Sequence, residues 1–178
     1  MPVETVIDAP DLENQTQYTD LDNFEHVLAL RVLEDFVVTS MLRQGRALKF
    51  SELSAAAEGF SLSRAALREG IHFSERVVSR GRDWDLKFRT EWTSRPRDER
   101  SRRPLEGTVE ELMLKVGKPL PVPVIVREVS TMRGVLPEVV REATGHILRT
   151  SRLVMEVSPG AWLHQSFTLD AGAPTEEL

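Results

Sequence analysis

Arginine is the residue type through which this chain could do chemistry. Arg64 and Arg68 lie four apart in LSRAALREGI, so a helix there stacks them one turn apart on one face. Arg80 and Arg82 flank Gly81 in SERVVSRGRDWDL, and TSRPRDERSRRP adds Arg95, Arg97, Arg100, Arg102 and Arg103. A guanidinium stays charged at any physiological pH and presents a rigid fork of donors. Clusters of it therefore suit recognition of a polyanion, above all a phosphate backbone, and not proton transfer.

Groups that could carry catalysis are scattered instead. His26, His72, His146 and His164 fall into no metal-ligand spacing, and there is no cysteine to serve as nucleophile or thiolate ligand. No glycine-rich loop or Gly-x-Ser-x-Gly elbow occurs. Asp83 and Asp85, on either side of Trp84, read as two surface carboxylates on a strand. The expectation is a protein that is not an enzyme and needs neither cofactor nor metal.

Charge distribution supports the same emphasis. The net charge is −5, but residues 1–25 hold seven acids and no base, and the tail from Asp170 holds three more acids. Residues 64–104 carry 12 Lys or Arg against 7 acids, so an acidic total hides a basic middle. No apolar run approaches the roughly 18 residues of a membrane span, and MPVETVIDAPDLENQ lacks the pattern of a secretory leader. A cytoplasmic, nucleoid-associated protein is the expectation.

The elements that must position these arginines come from a repeat. RQGRALKFSEL (Arg43 to Leu53) lies over KVGKPLPVPVI (Lys115 to Ile125) at an offset of 72; Arg76 then pairs with Arg152 at 76, and Trp84 with Trp162 at 78. Growth of the offset is expected between elements, where insertions are tolerated. Each unit reads as a helix ending at Gly (about Phe24 to Gln44; about Thr108 to Val116), a short extended piece, a second helix (Ser51 to Glu58; Val124 to Met132) and a third helix. Two β-rich runs around a polar tip complete it, FSERVVS and WDLKFRTEW about Arg80-Gly81-Arg82, and SRLVMEV and WLHQSFTL about Ser158-Pro159-Gly160. Trp84 and Trp162 are expected to anchor these hairpins to the core.

Helix, strand, helix, helix, hairpin is the winged-helix order. The second unit, EELMLKVGKPLPVPVIVREV leading to GAWL, resembles the winged-helix family that includes the HARE-HTH module and the amino-terminal domain of the RNA polymerase delta subunit. The resemblance spans about 60 residues of unit two and, more loosely, about 65 of unit one. It implies an α+β fold of two tandem winged-helix domains, each of three helices and a β-hairpin wing. The expected division is an acidic disordered arm (1–22), domain one (23–93), a basic linker (94–105), domain two (106–169) and an acidic tail (170–178).

In such a fold the third helix meets the major groove of double-stranded DNA. Leu62, Ala66, Leu67 and Ile71 turn inward, leaving Ser63, Arg64 and Arg68 outward; the wing adds Arg80 and Arg82, and an exposed, mobile linker adds Arg95, Arg97, Arg100, Arg102 and Arg103. Transcriptional or chromosome-associated regulation is the implied setting. Unit two presents Glu138, Arg141, Glu142 and Arg149 and a wing tip without base, which suits packing or a protein partner. The alternative for the whole chain is a winged-helix accessory subunit of a polymerase or condensation complex without direct DNA contact. The first helix, whose apolar residues from Phe24 to Leu42 cover well over a stripe of about 100°, is either wedged between the units or a homodimer interface. The acidic arm either stays disordered or folds over the basic middle and competes with DNA.

Overall fold

The computed structural model describes residues 12–168, with side chains from Phe24 onward. The outermost part of the acidic arm and the acidic tail lie outside the described residues. Among the described residues, eight α-helices and two three-stranded antiparallel sheets make an α+β architecture. The first half runs α1 (Leu12–Gln44), β1 (Leu48–Lys49), α2 (Phe50–Glu58), α3 (Arg64–Phe73), β2 (Val77–Arg80) and β3 (Asp83–Leu86). Two short helices, α4 (Lys87–Thr93) and α5 (Arg97–Arg102), follow. The second half runs α6 (Leu105–Val116), β4 (Leu120–Pro121), α7 (Val122–Arg133), α8 (Pro137–Thr150), β5 (Val154–Ser158) and β6 (Ala161–His164), closing in a 3-10 turn at Gln165–Phe167.

The two halves match strand for strand. Their sheets are ordered β1-β3-β2 and β4-β6-β5, with Leu48 opposite Trp84 in one and Leu120 opposite Trp162 in the other. Both tryptophans lie half-buried against the core. The offset, however, grows mainly inside elements. It is 72 from β1 to β4 and 73 from Ser63 to Leu136, the residues that precede α3 and α8. It becomes 77 from Ser74 to Ser151, where those helices end. α8 is therefore four residues longer than α3, close to one helical turn, which keeps its two ends nearly in phase. The last step falls in β5: Glu156 faces Trp162 and Ser158 faces Ala161, leaving Val157 as a bulge.

Local chemistry accounts for the boundaries. α1 stops at Gly45, whose φ of +67° is a left-handed cap that a side chain would strain. The terminal carbonyls of α1, of Leu42 and Arg43, accept hydrogen bonds from the Arg127 guanidinium of the second half. Ser63 caps α3, its Oγ accepting from the Ala66 N–H at 3.1 Å. Pro137 opens α8, where its missing N–H leaves no bond unmade.

One core serves both halves. Val37, Met41, Leu53, Leu67 and Ile71 are continuous with Leu112, Ile125, Val129, Met132 and Leu148, and Trp92 of α4 is fully buried with them. From Leu30 downward α1 carries the buried residues Leu33, Val37, Val38, Met41 and Leu42, and Lys118 of the second half reaches Asp35 Oδ2 at 3.0 Å. The lower half of α1 is thus wedged between the units.

Buried charge fastens the junction. Arg89 of α4 donates to Glu128 of α7 at 2.8 and 3.1 Å, to Asp85 Oδ1 at 2.6 Å and to the Met41 carbonyl at 3.4 Å. Burial alone would lower the pKa of Arg89, but Glu128 and Asp85 outweigh it and raise the value further. A second node surrounds buried Glu34, which accepts from Ser74 Oγ at 2.7 Å and lies 3.1 and 3.3 Å from Arg31 and Arg76. Burial would push Glu34 up, yet Ser74, Arg76 and Arg31 more than offset that and hold it below the usual carboxylate range.

Several expectations change here. α1 begins at Leu12 and not near Phe24, so part of the stretch expected to be disordered is helical. WDLKFRTEW is not a strand throughout: β3 ends at Leu86 and the rest turns into α4. Asp85 is not a surface carboxylate but a buried partner of Arg89. The stretch expected as an exposed, mobile linker contains α5, and three of its arginines are tied down by neighbouring helices.

Candidate nucleic-acid interface

α3 is amphipathic in the expected sense. Leu67, Gly70 and Ile71 are buried, Leu62 and Ala66 half-buried, and Ser63, Arg64 and Arg68 exposed. Gly70 permits the close approach that seats this helix on α1, since a Cβ there would stand 2.6 Å from Leu33 Cβ. Ser63 is exposed, but its hydroxyl oxygen is committed to the helix cap.

Arg64 and Arg68 share a platform. Their guanidinium carbons lie 5.8 and 5.0 Å from the ring centre of Phe50, the first residue of α2. Stacking of this kind contributes about 0.5–1 kcal/mol at exposed sites, and it narrows the orientations open to two long side chains. Beside Phe50 stands exposed Lys49, which pairs with Asp83 across the sheet, and Asp83 in turn faces Arg80. The strand register therefore links Lys49, the residue before Phe50, through Asp83 to Arg80 at the β2–β3 turn. Arg80 approaches Asp85 Oδ2 at 3.6 Å yet stays mostly exposed, and Arg82 has no ion-pair partner among the described residues.

The five arginines after α4 divide. Arg95 and Arg103 stack on Trp92 at 4.7 and 5.5 Å and lie 3.5 and 3.1 Å from Glu111. Arg100 donates to the Met132 carbonyl at 3.4 Å. These three hold α5 against α6 and α7, whereas Arg97 and Arg102 are exposed without an ion-pair partner among the described residues. The structure thus brings Ser63, Arg64, Arg68, Arg80 and Arg82 to one half of the molecule and ties half-buried Arg95 and Arg100 and exposed Arg103 to neighbouring helices.

Lys49 and Phe50 do not stand out in the sequence. In ALKF they read only as alternation in a short strand; their value comes from the pairing that places them between α3 and the wing. Near them, the Arg46 side chain and the Lys49 N–H hold the Glu52 carboxyl down to about 2. Glu52 is therefore an anion already matched by its neighbours.

The same positions in the second half carry none of this. Pro121 and Val122 replace Lys49 and Phe50 at the offset of 72, and Ser158-Pro159-Gly160 replaces the basic tip. Leu136, just before α8, is exposed, and α8 itself exposes Val139, Glu142 and a Glu138–Arg141 pair at 3.9 Å. Among the described residues no helix is long and apolar enough to cross a membrane, and no three potential metal ligands cluster. No family model, no curated protein and no solved structure matches this chain.

Proposed function

We propose that this chain is a tandem winged-helix protein that binds double-stranded DNA through its first unit. The repeated element order and the identical sheet order of the two halves support the fold assignment. The observation that carries the function is the pair Arg64 and Arg68, stacked on Phe50 and continuous through Lys49 with Arg80 and Arg82. Four or five such cations fit the spaced negative charge of a phosphate backbone, with α3 lying in the major groove and the wing on the flanking strand. Arg97 and Arg102 extend the contact; Arg95, Arg100 and Arg103 are structural. The second unit acts as scaffold or protein contact, favoured by exposed Leu136 and Val139 on α8. Transcriptional or chromosome-associated regulation is the setting this implies.

Binding to a duplex across a salt series tests the proposal. Affinity should fall steeply with salt, and the slope of log K against log salt should shrink by about 0.9 for each phosphate no longer neutralised. Arg64→Ala with Arg68→Ala, or Arg80→Ala with Arg82→Ala, should flatten it; Arg141→Ala with Arg149→Ala should not. Absence of binding at about 50 mM salt would overturn the assignment in favour of an accessory subunit that makes no DNA contact.

A further inference from the structure

Residues 24–29 of α1 are exposed. Phe24, Leu28 and Val32 are 65, 53 and 61% exposed, and Leu28, Val32 and Phe36 follow at four-residue spacing along one line of the helix. Directly below this ridge opens a groove of about 430 Å³ between α1, β1 and α2, lined by Val32, Phe36, Arg43, Leu48, Ala56 and Phe60. Phe60 leans its edge on Phe36 at 5.4 Å and stays 68% exposed at the rim. Ridge and groove lie along one helix and overlap at Val32 and Phe36; the groove's apolar floor is flanked by polar walls that include Asp35, Ser40, Arg43 and Glu52.

A ridge followed by its own complement is the form an isologous contact requires. A two-fold axis crossing α1 at the level of Glu34 sets residue i of one copy opposite residue 68 − i of the other. Val32 then faces Phe36, Leu28 faces Ser40 at the groove wall, and Glu25 faces Arg43. Glu25 and Arg43 are both exposed, and neither has an ion-pair partner among the described residues. A parallel arrangement would set Glu25 on Glu25 and Arg43 on Arg43. Only the antiparallel one matches shape and charge together.

We infer that α1 pairs antiparallel with α1 of a second copy of this chain, each placing Leu28 and Val32 in the groove of the other and closing the rim with two Glu25–Arg43 pairs. Sedimentation of the full chain at tens of micromolar should give twice 20.1 kDa. Leu28→Asp should yield a monomer with an unchanged far-ultraviolet spectrum and melting curve below the dimer's concentration range, because Leu28 is exposed in the single chain. Glu25→Arg should weaken the dimer roughly 5- to 30-fold through two like-charge pairs, and adding Arg43→Glu should restore it. The chain has no cysteine, so Leu28→Cys and Ser40→Cys report register under mild oxidation. A mixture of the two should cross-link, and Leu28→Cys alone should not.

A wild-type monomer, a dimer indifferent to Leu28→Asp, or self-cross-linking of Leu28→Cys would each overturn the pairing. These measurements use no DNA. A monomer would leave the DNA assignment standing, and failure to bind DNA would leave the pairing standing.

Discussion

Replacing Arg89 with Met keeps the stem of the side chain and removes its charge, which isolates the buried node that joins the halves. The wild-type guanidinium makes four hydrogen bonds, to Glu128 twice, to Asp85 and to the Met41 carbonyl. Its loss strands two carboxylates that are almost wholly buried. Removing one member of a buried pair typically costs about 3–5 kcal/mol, most of it the penalty of the charge left behind. For a chain of this size that corresponds to a melting temperature lower by roughly 6–20 °C. Arg89→Met with Glu128→Met should recover about half of the loss, or about 2 kcal/mol. Asp85 still accepts from the Leu86 N–H at 2.8 Å and stands 3.6 Å from Arg80. Thermal and urea unfolding measure both variants. A loss below about 1 kcal/mol for Arg89→Met would refute the idea that this node holds the halves together.

Two further outcomes follow from particular residues. Because the folded pKa of Glu34 lies below its ordinary value of 4.5, its contribution to stability is present above that pH and is lost as the pH falls through the folded value. The melting temperature should therefore drop steeply below about pH 4.5, and Glu34→Gln should lower it at pH 7 while flattening part of the acid limb, as a pH series of melts would show. Gly45 and Gly81 share a φ of +67°, but a Cβ on Gly45 would run into the Arg127 guanidinium, whereas one on Gly81 meets nothing within 4 Å. Gly81→Ala should cost about 1–2 kcal/mol from backbone strain alone, and Gly45→Ala clearly more, measured by urea unfolding.

The repeat was legible because its markers are local and rigid: the Gly after a helix, the Leu of a short strand, the Trp that pairs with it. Trp84 and Leu48 keep their relation to Trp162 and Leu120 through register alone. α4 was not legible because its apolar residues satisfy two periods. Leu86 and Phe88 alternate like a strand, while Phe88 and Trp92 are one helical turn apart, as are Asp85 and Arg89. Only the packing of Trp92 into the shared core decides for helix. Composition likewise counts arginines without showing their partners. Arg95, Arg100 and Arg103 read as free because Glu111 and the Met132 carbonyl lie 8 to 32 residues away. On α3 the inward residues and the outward arginines share one short helix, so its faces could be read directly.

The extra turn within α8 has a consequence for how these halves could diverge. Four residues advance a helix by about 400°, only about 40° past a full circle, so such an insertion returns the inward side chains almost to where they were. Leu136 and Ser151 accordingly flank α8 as Ser63 and Ser74 flank α3, although Leu136 has no side-chain oxygen with which to cap its helix as Ser63 does. The longer helix thus extends its outward face by about one turn while its inward face stays in phase.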